Sequence, residues 1–163
     1  TPAALDAIRA ITDAVPQAAV GAGTVLSADD LAAATAAGAK FAVSPGASPA
    51  LFDAAANSSL PWLPGAASAS EAMALAERGY DLQKFFPAQA AGGVEFLRSL
   101  AGPLPHIRFC PTGGIGVHNA PDYLLLPNVV CVGGSWLTPA TLVRSGDWSA
   151  IAALARAAAA LRD

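Results

Sequence analysis

The sequence has 163 residues, 54% of them hydrophobic and 13% charged, with 12 acidic against 9 basic side chains. Apolar content on that scale suffices for one domain with a sizeable core and excludes intrinsic disorder. A net charge of −3 offers no basic stripe for a nucleic acid, and no apolar run approaches the roughly 20 residues of a membrane-crossing helix. Neither nucleic acid nor membrane is therefore an expected partner. The scarcity of charge fits either burial against partner subunits or plain enrichment in alanine. The chain opens on Thr1 rather than Met and shows no secretory segment there. It is expected to be processed, truncated or only part of a longer sequence, with the cytoplasm as its default location. Cys110 and Cys131 lie in apolar runs and read as buried thiols of a reducing compartment.

In chain order, a helix over 3–15 leads into the first short apolar run, AVGAGTVL at 19–26. Ser27 then caps a helix whose Asp29 and Asp30 favour the positive end of the dipole, and Gly38 closes it. The runs FAVSPG at 41–46 and WLPGA at 62–66 follow, then a helix over 68–78 closed by Gly79. LQKFFPA at 82–88 precedes a helix over 92–100, and RFCPTGG at 108–114 and VVCVGGSW at 129–136 are the last two runs. Thr138 reads as an N-cap with Pro139 at the first helical position, and a final helix fills 147–162.

The runs start 20 to 26 residues apart, the length of one strand–loop–helix–loop unit, and their unbroken hydrophobicity marks parallel strands covered on both faces. Such a series builds either an open doubly wound sheet or a (β/α)₈ barrel. No GxGxxG follows the first run, which disfavours the dinucleotide-binding version. Double glycines follow the last two runs, where barrels often bind phosphate. On that reading the fold is an α/β TIM barrel, residues 1–163 are a single N-terminally incomplete barrel domain, and strands three to eight are present with the first two missing.

Of two lysines, Lys40 ends a polar turn, whereas Lys84 lies inside an apolar strand, an expensive place for a charge. Alternation puts Leu82, Lys84 and Phe86 on one face and Gln83 and Phe85 on the other. Lys84 is either an amine snorkelling to solvent or a Schiff-base former. The latter needs its pKa brought from about 10.4 to about 7–8, which burial beside Phe86 would favour. Backbone amides at Gly113-Gly114 and Gly134-Ser135 could converge on an anion, although tight turns also use paired glycines for packing. Thr112 and Thr24 each place a hydroxyl at a strand end. No cluster of His, Asp or Glu occurs at the strand ends, so no metal is expected. Glu71, Glu77 and Glu95 all fall on helices, which leaves no carboxylate to move protons for an imine.

Taken in register, GAGTV, SPG, KFFPA, FCPTGG and GGSW resemble the 2-keto-3-deoxy-6-phosphogluconate (KDPG) aldolase family, which includes 4-hydroxy-2-oxoglutarate aldolases. The resemblance runs from about Ala3 to the end. It implies a (β/α)₈ barrel, a homotrimer, a phosphorylated ketoacid substrate and a cofactor-free class I cleavage to pyruvate and glyceraldehyde 3-phosphate, extending to 4-hydroxy-2-oxoglutarate. It also implies roles: Lys84 as the Schiff-base former, Thr24 near the pyruvate carboxylate and Thr112 beside the imine. Gly113, Gly114, Gly134 and Ser135 match the phosphate cradle, and Pro45 and Phe86 match wall positions. Gln83 stands where an apolar residue is common, and Gln89 where a glutamate is frequent. The family's E-V-T-L-R segment, bearing the acid/base glutamate and a carboxylate-binding arginine, has no counterpart in the 163 residues. A phosphosugar isomerase or epimerase on the same barrel, and an inactive trimeric scaffold, are the alternative readings.

Overall fold

A computed structural model describes residues 1–162. Helix α1 spans Ala4–Ala14, and strand β1, Gly21–Gly23, follows it. Ser27 caps α2 (Ala28–Ala36) with a full capping box: its hydroxyl accepts from the Asp30 amide at 3.1 Å, and the Asp30 carboxylate accepts from the Ser27 amide at 3.1 Å. A further bond from the Leu26 amide, the strongest influence on that carboxyl, holds its pKa below the ordinary value. Strand β2 is Phe41–Val43, and Ser48 and Pro49 then start α3 (Pro49–Ala56) as N-cap and first helical residue.

The run at 62–66 divides into β3 (Trp62–Leu63) and β4 (Gly65–Ala66). Pro64 between them has no amide to donate to a ladder, so a strand expected to be continuous is interrupted there. Helix α4 (Ala69–Ala76), β5 (Leu82–Phe85), α5 (Gly93–Leu100) and β6 (Arg108–Pro111) continue the alternation. Strand pairing is parallel throughout, in the orders β1-β2-β3 and β4-β5-β6. The Lys84 amide donates to the Pro64 carbonyl at 2.8 Å, so β5 reaches across the break.

The last apolar run departs from expectation. It forms only two isolated parallel bridges, Val129 to Phe109 and Gly133 to Thr112. Four residue steps on one side oppose three on the other, and the extra residue is a bulge that spoils a regular ladder. After it come a 3₁₀ turn at Ser135–Leu137, α7 (Ala140–Ser145) and α8 (Trp148–Ala159), with α6 (Ala120–Leu124) lying before it. Pro139 has ψ 133° and occupies the N-cap position of α7, not its first helical position, and no side chain caps that helix. The last helix gives way to a 3₁₀ turn at Ala160–Arg162.

Helices cover one face of the strands. Gln83, Phe85, Phe109 and Val129 on that outer face are 0–2% exposed, beneath Leu75, Leu97 and Tyr123 from α4, α5 and α6. Ala22, Ala42 and Trp62 are buried the same way under α1 to α3. Phe52, Trp62 and Tyr80 join the two halves of the core, Trp62 meeting Phe52 and Tyr80 edge-on at 5.3 and 5.2 Å.

Candidate active site

The inner face carries the chemistry. Register places Lys84 between Gly65 of β4 and Cys110 of β6. Leu82, Lys84 and Phe86 share this face as alternation requires, and the Lys84 Nζ stands 4.7 Å from the Phe86 ring centroid. Half-burial against these neighbours pushes the Lys84 pKa below that of an ordinary lysine. A Cys110 thiolate would oppose that effect. However, the Cys110 thiol is itself pushed far up, first by its hydrogen bond with Cys131 and then by burial, and stays protonated. Both cysteines remain thiols, but Cys131 is exposed where burial was expected, because it lies in the bulged segment.

Pro45 packs its main chain on Gly65, the register partner of Lys84. A Cβ at Gly65 would lie 2.2 Å from the Pro45 carbonyl oxygen, so only glycine lets the 44–46 segment close over β4 next to Lys84. Ser44 anchors that segment from below: its buried hydroxyl donates to the Gly46 carbonyl at 2.6 Å and accepts from the Trp62 indole at 2.9 Å. At the end of β1, Thr24 is exposed and has φ +61°, a left-handed conformation costing a β-branched residue about 1 kcal/mol or more. The Val25 amide next to it donates to Val43 at 3.0 Å and holds the turn against β2.

Beyond β6, Thr112 turns its hydroxyl into a buried position with no hydrogen-bond partner. Gly113 and Gly114 follow with φ +94° and +77°. The carbonyls of Thr112 and Gly113 accept from the Ala88 and Gln89 amides at 2.8 and 3.0 Å. Across a planar trans peptide the N–H opposes the C=O, so the Gly113 and Gly114 amides face the other way. They have no protein acceptor among the described residues. Gly134 and Ser135 are brought alongside by the Thr112–Gly133 bridge. Packing alone accounts for the glycine at 134, where a Cβ would stand 2.0 Å from the Trp136 ring.

Two glutamines are explained by their bonds. Gln83, fully buried, donates to the Ala72 and Tyr80 carbonyls at 2.9 and 2.8 Å and ties β5 to α4. Gln89 accepts from the Tyr123 hydroxyl at 3.1 Å and from the Asn119 amide at 3.4 Å. Asn119 and Tyr123 were not legible as site residues; Asn119 resembles an ordinary residue before a short helix.

Among the described residues no group of His, Cys, Asp and Glu could hold a metal, and no helix is long and apolar enough to cross a membrane. Glu71 caps α4, accepting from the Ala67 amide and the Ser68 hydroxyl, and Glu95 pairs with Arg98 on the surface. Neither stands at the Lys84 face. A cleft of ≈ 460 Å³ lies between α1 and the end of β1, with Thr24 in its lining.

The family model for KDPG and KHG aldolase matches residues 1–154. The chain is 52% identical to the 2-dehydro-3-deoxy-phosphogluconate aldolase of Dickeya dadantii over 160 residues, 98% of this chain and 75% of that protein. It is 51% identical to the KHG/KDPG aldolase of Escherichia coli K12 over 158 residues, 97% of this chain and 74% of that protein. Among solved structures, KDPG aldolase from Legionella pneumophila, with pyruvate captured as a covalent carbinolamine, superposes with TM-score 0.94 at 44% identity, covering 97% of this chain and 77% of that one. The Zymomonas mobilis aldolase with 3-phosphoglycerate gives 0.90 at 47% identity, covering 99% and 75%.

Proposed function

The chain belongs to the KDPG and KHG aldolase family, and from that premise we propose that Lys84 drives its reaction as a Schiff-base nucleophile. The enzyme is an aldehyde-lyase. It splits 2-keto-3-deoxy-6-phosphogluconate into pyruvate and glyceraldehyde 3-phosphate, and its fold is α/β and barrel-like. The six apolar runs, with β3 and β4 together as one and the bridged segment at 129–133 as the last, are strands three to eight of an eight-stranded barrel contained in one domain. A cytoplasmic homotrimer is the assembly that fits the family.

The neutral Lys84 amine adds to the C2 carbonyl of the ketoacid to give a carbinolamine, which loses water to form an iminium. Loss of the C4 hydroxyl proton to a water molecule then sends the C3–C4 bonding electrons to the iminium nitrogen. The aldehyde leaves and an enamine remains. Protonation at C3 and hydrolysis release pyruvate and restore the amine. Phe86 and Pro45 wall the reacting carbon, and Thr112 offers its unpartnered hydroxyl to the imine region. Thr24 stands at the carboxylate end, and Gly113, Gly114, Gly134 and Ser135 supply amides to the phosphate.

One observation carries the reading: the half-buried inner-face amine whose ammonium form is disfavoured by desolvation. Borohydride reduction in the presence of pyruvate, followed by peptide mapping, is expected to label Lys84 and to spare Lys40. Absence of label at Lys84, or equal label at both lysines, rejects the assignment.

A further inference from the structure

The Gly113-Gly114 turn can donate to an anion only while its peptide planes stay turned, and three carbonyls fix them. Those of Thr112 and Gly113 are held by the Ala88 and Gln89 amides. The third, of Gly114, accepts from a side chain, Asn119 Nδ2, at 3.1 Å. That bond aims the Ile115 amide, on the opposite edge of the same peptide plane, away from Asn119. Asn119 is itself fixed from two directions. Its Oδ1 accepts from the Gly116 amide at 2.9 Å, and its Nδ2 also reaches Gln89 Oε1 at 3.4 Å.

Gln89 Oε1 in turn accepts from the hydroxyl of Tyr123, a fully buried side chain of α6. Burial raises the Tyr123 pKa, so the phenol keeps its proton and remains a donor across the working pH range. The Gln89 Cβ region also fills the space a side chain at 114 would need, with 2.6 Å to an ideal Cβ there. Gln89 therefore grips the turn twice, through backbone and side chain. Among the described residues no other hydrogen bond reaches the Gly114 carbonyl.

We infer that Asn119, braced by Gln89 and Tyr123, is a positioning residue that holds three successive amides in an anion-accepting nest and so sets the preference for a substrate with a phosphorylated end. This rests on the aldolase reading above. It goes beyond that reading by assigning the discrimination to the side chains that orient the turn as well as to its amides.

The test compares kcat/KM for 2-keto-3-deoxy-6-phosphogluconate with that for 2-keto-3-deoxygluconate, whose far end is uncharged. Asn119→Ala is expected to lower the ratio about tenfold, the worth of roughly one oriented hydrogen bond to a charged group, mainly through KM for the phosphorylated substrate. Gln89→Leu lowers it as well, and Gln89→Glu, which still offers an acceptor to Tyr123 and Asn119, retains it. Equal losses on both substrates, or a ratio unmoved by Asn119→Ala, overturn the inference.

A titration with inorganic phosphate separates this failure from failure of the aldolase reading. The Gly113 and Gly114 amide resonances of the unmodified chain shift saturably, and Asn119→Ala weakens that binding by about the same factor. Phosphate binding without imine trapping at Lys84 would reject the aldolase reading and keep the nest. Imine trapping with phosphate binding indifferent to Asn119 would reject the nest alone.

Discussion

Gln83 and Lys84 are consecutive residues of one strand, yet Gln83 spends its amide on two backbone carbonyls under α4 while Lys84 faces across the sheet towards Phe86 and Cys110. The outer residues of β5 are sealed, Gln83 at 0% and Phe85 at 1% exposure, whereas Leu82 on the inner face is 46% exposed. Period-two alternation thus divides a four-residue strand into a part that holds the fold and a part that is free to react. The polar group on the outer face stabilises because it is bonded. The polar group on the inner face is useful because its charge is poorly accommodated.

The contrast can be broken most forcefully from the sealed side. Phe85 stacks on Phe96 at 5.4 Å and meets Phe109 edge-on at 6.3 Å. Phe85→Ala is expected to destabilise the protein by about 3–5 kcal/mol, read by urea unfolding. A loss below about 1 kcal/mol would mean that the outer face is not the structural one.

An intermediate effect concerns protons. Because burial lowers the Lys84 pKa, the unfolded chain binds more protons than the folded one between the folded value and the ordinary lysine value. Stability contributed by this group therefore rises with pH through that window and is flat on either side. Unfolding measured across it should show the rise in the unmodified protein and lose it in Lys84→Met. The same lowering predicts that trapping by pyruvate and borohydride has its alkaline midpoint below that of a free lysine side chain. A midpoint at or above the free value would sink the claim of desolvation.

The smallest effect belongs to Leu82. Leu82→Thr should change stability by no more than about 0.5 kcal/mol, since an exposed strand position tolerates a β-branched polar residue. A larger loss would show that the inner face of β5 is more deeply covered than Lys84's accessibility implies.

Much of this division was legible beforehand. The apolar runs located every strand segment, and Ser27, Ser68, Gly38 and Gly79 marked helix ends that the structure reproduces as caps and positive-φ glycines. Lys84 stood out because a lysine within an apolar strand has few bland explanations. What could not be read depended on contacts between distant residues. Helix α3 is hard to read from sequence although Ser48 and Pro49 carry N-cap and first-turn signals, because its eight residues are mostly apolar or alanine and show no clear polar face. The bulge at 129–133 is a matter of register between two segments and leaves no mark in either alone. Gln89 registered only as a departure from a pattern; its significance comes from Tyr123, 34 positions away.

The close approach of Pro45 to Gly65 bears on how this wall could vary. Most pockets are reshaped gradually, one methylene at a time, as neighbouring side chains lengthen or shorten. Here even the first carbon of a side chain at 65 would collide with main chain at 2.2 Å, so there is no small step to take. Change at this wall has to come as a displacement of the whole 44–46 segment, Ser44 anchor included, which makes the girth of the Lys84 face an all-or-nothing trait.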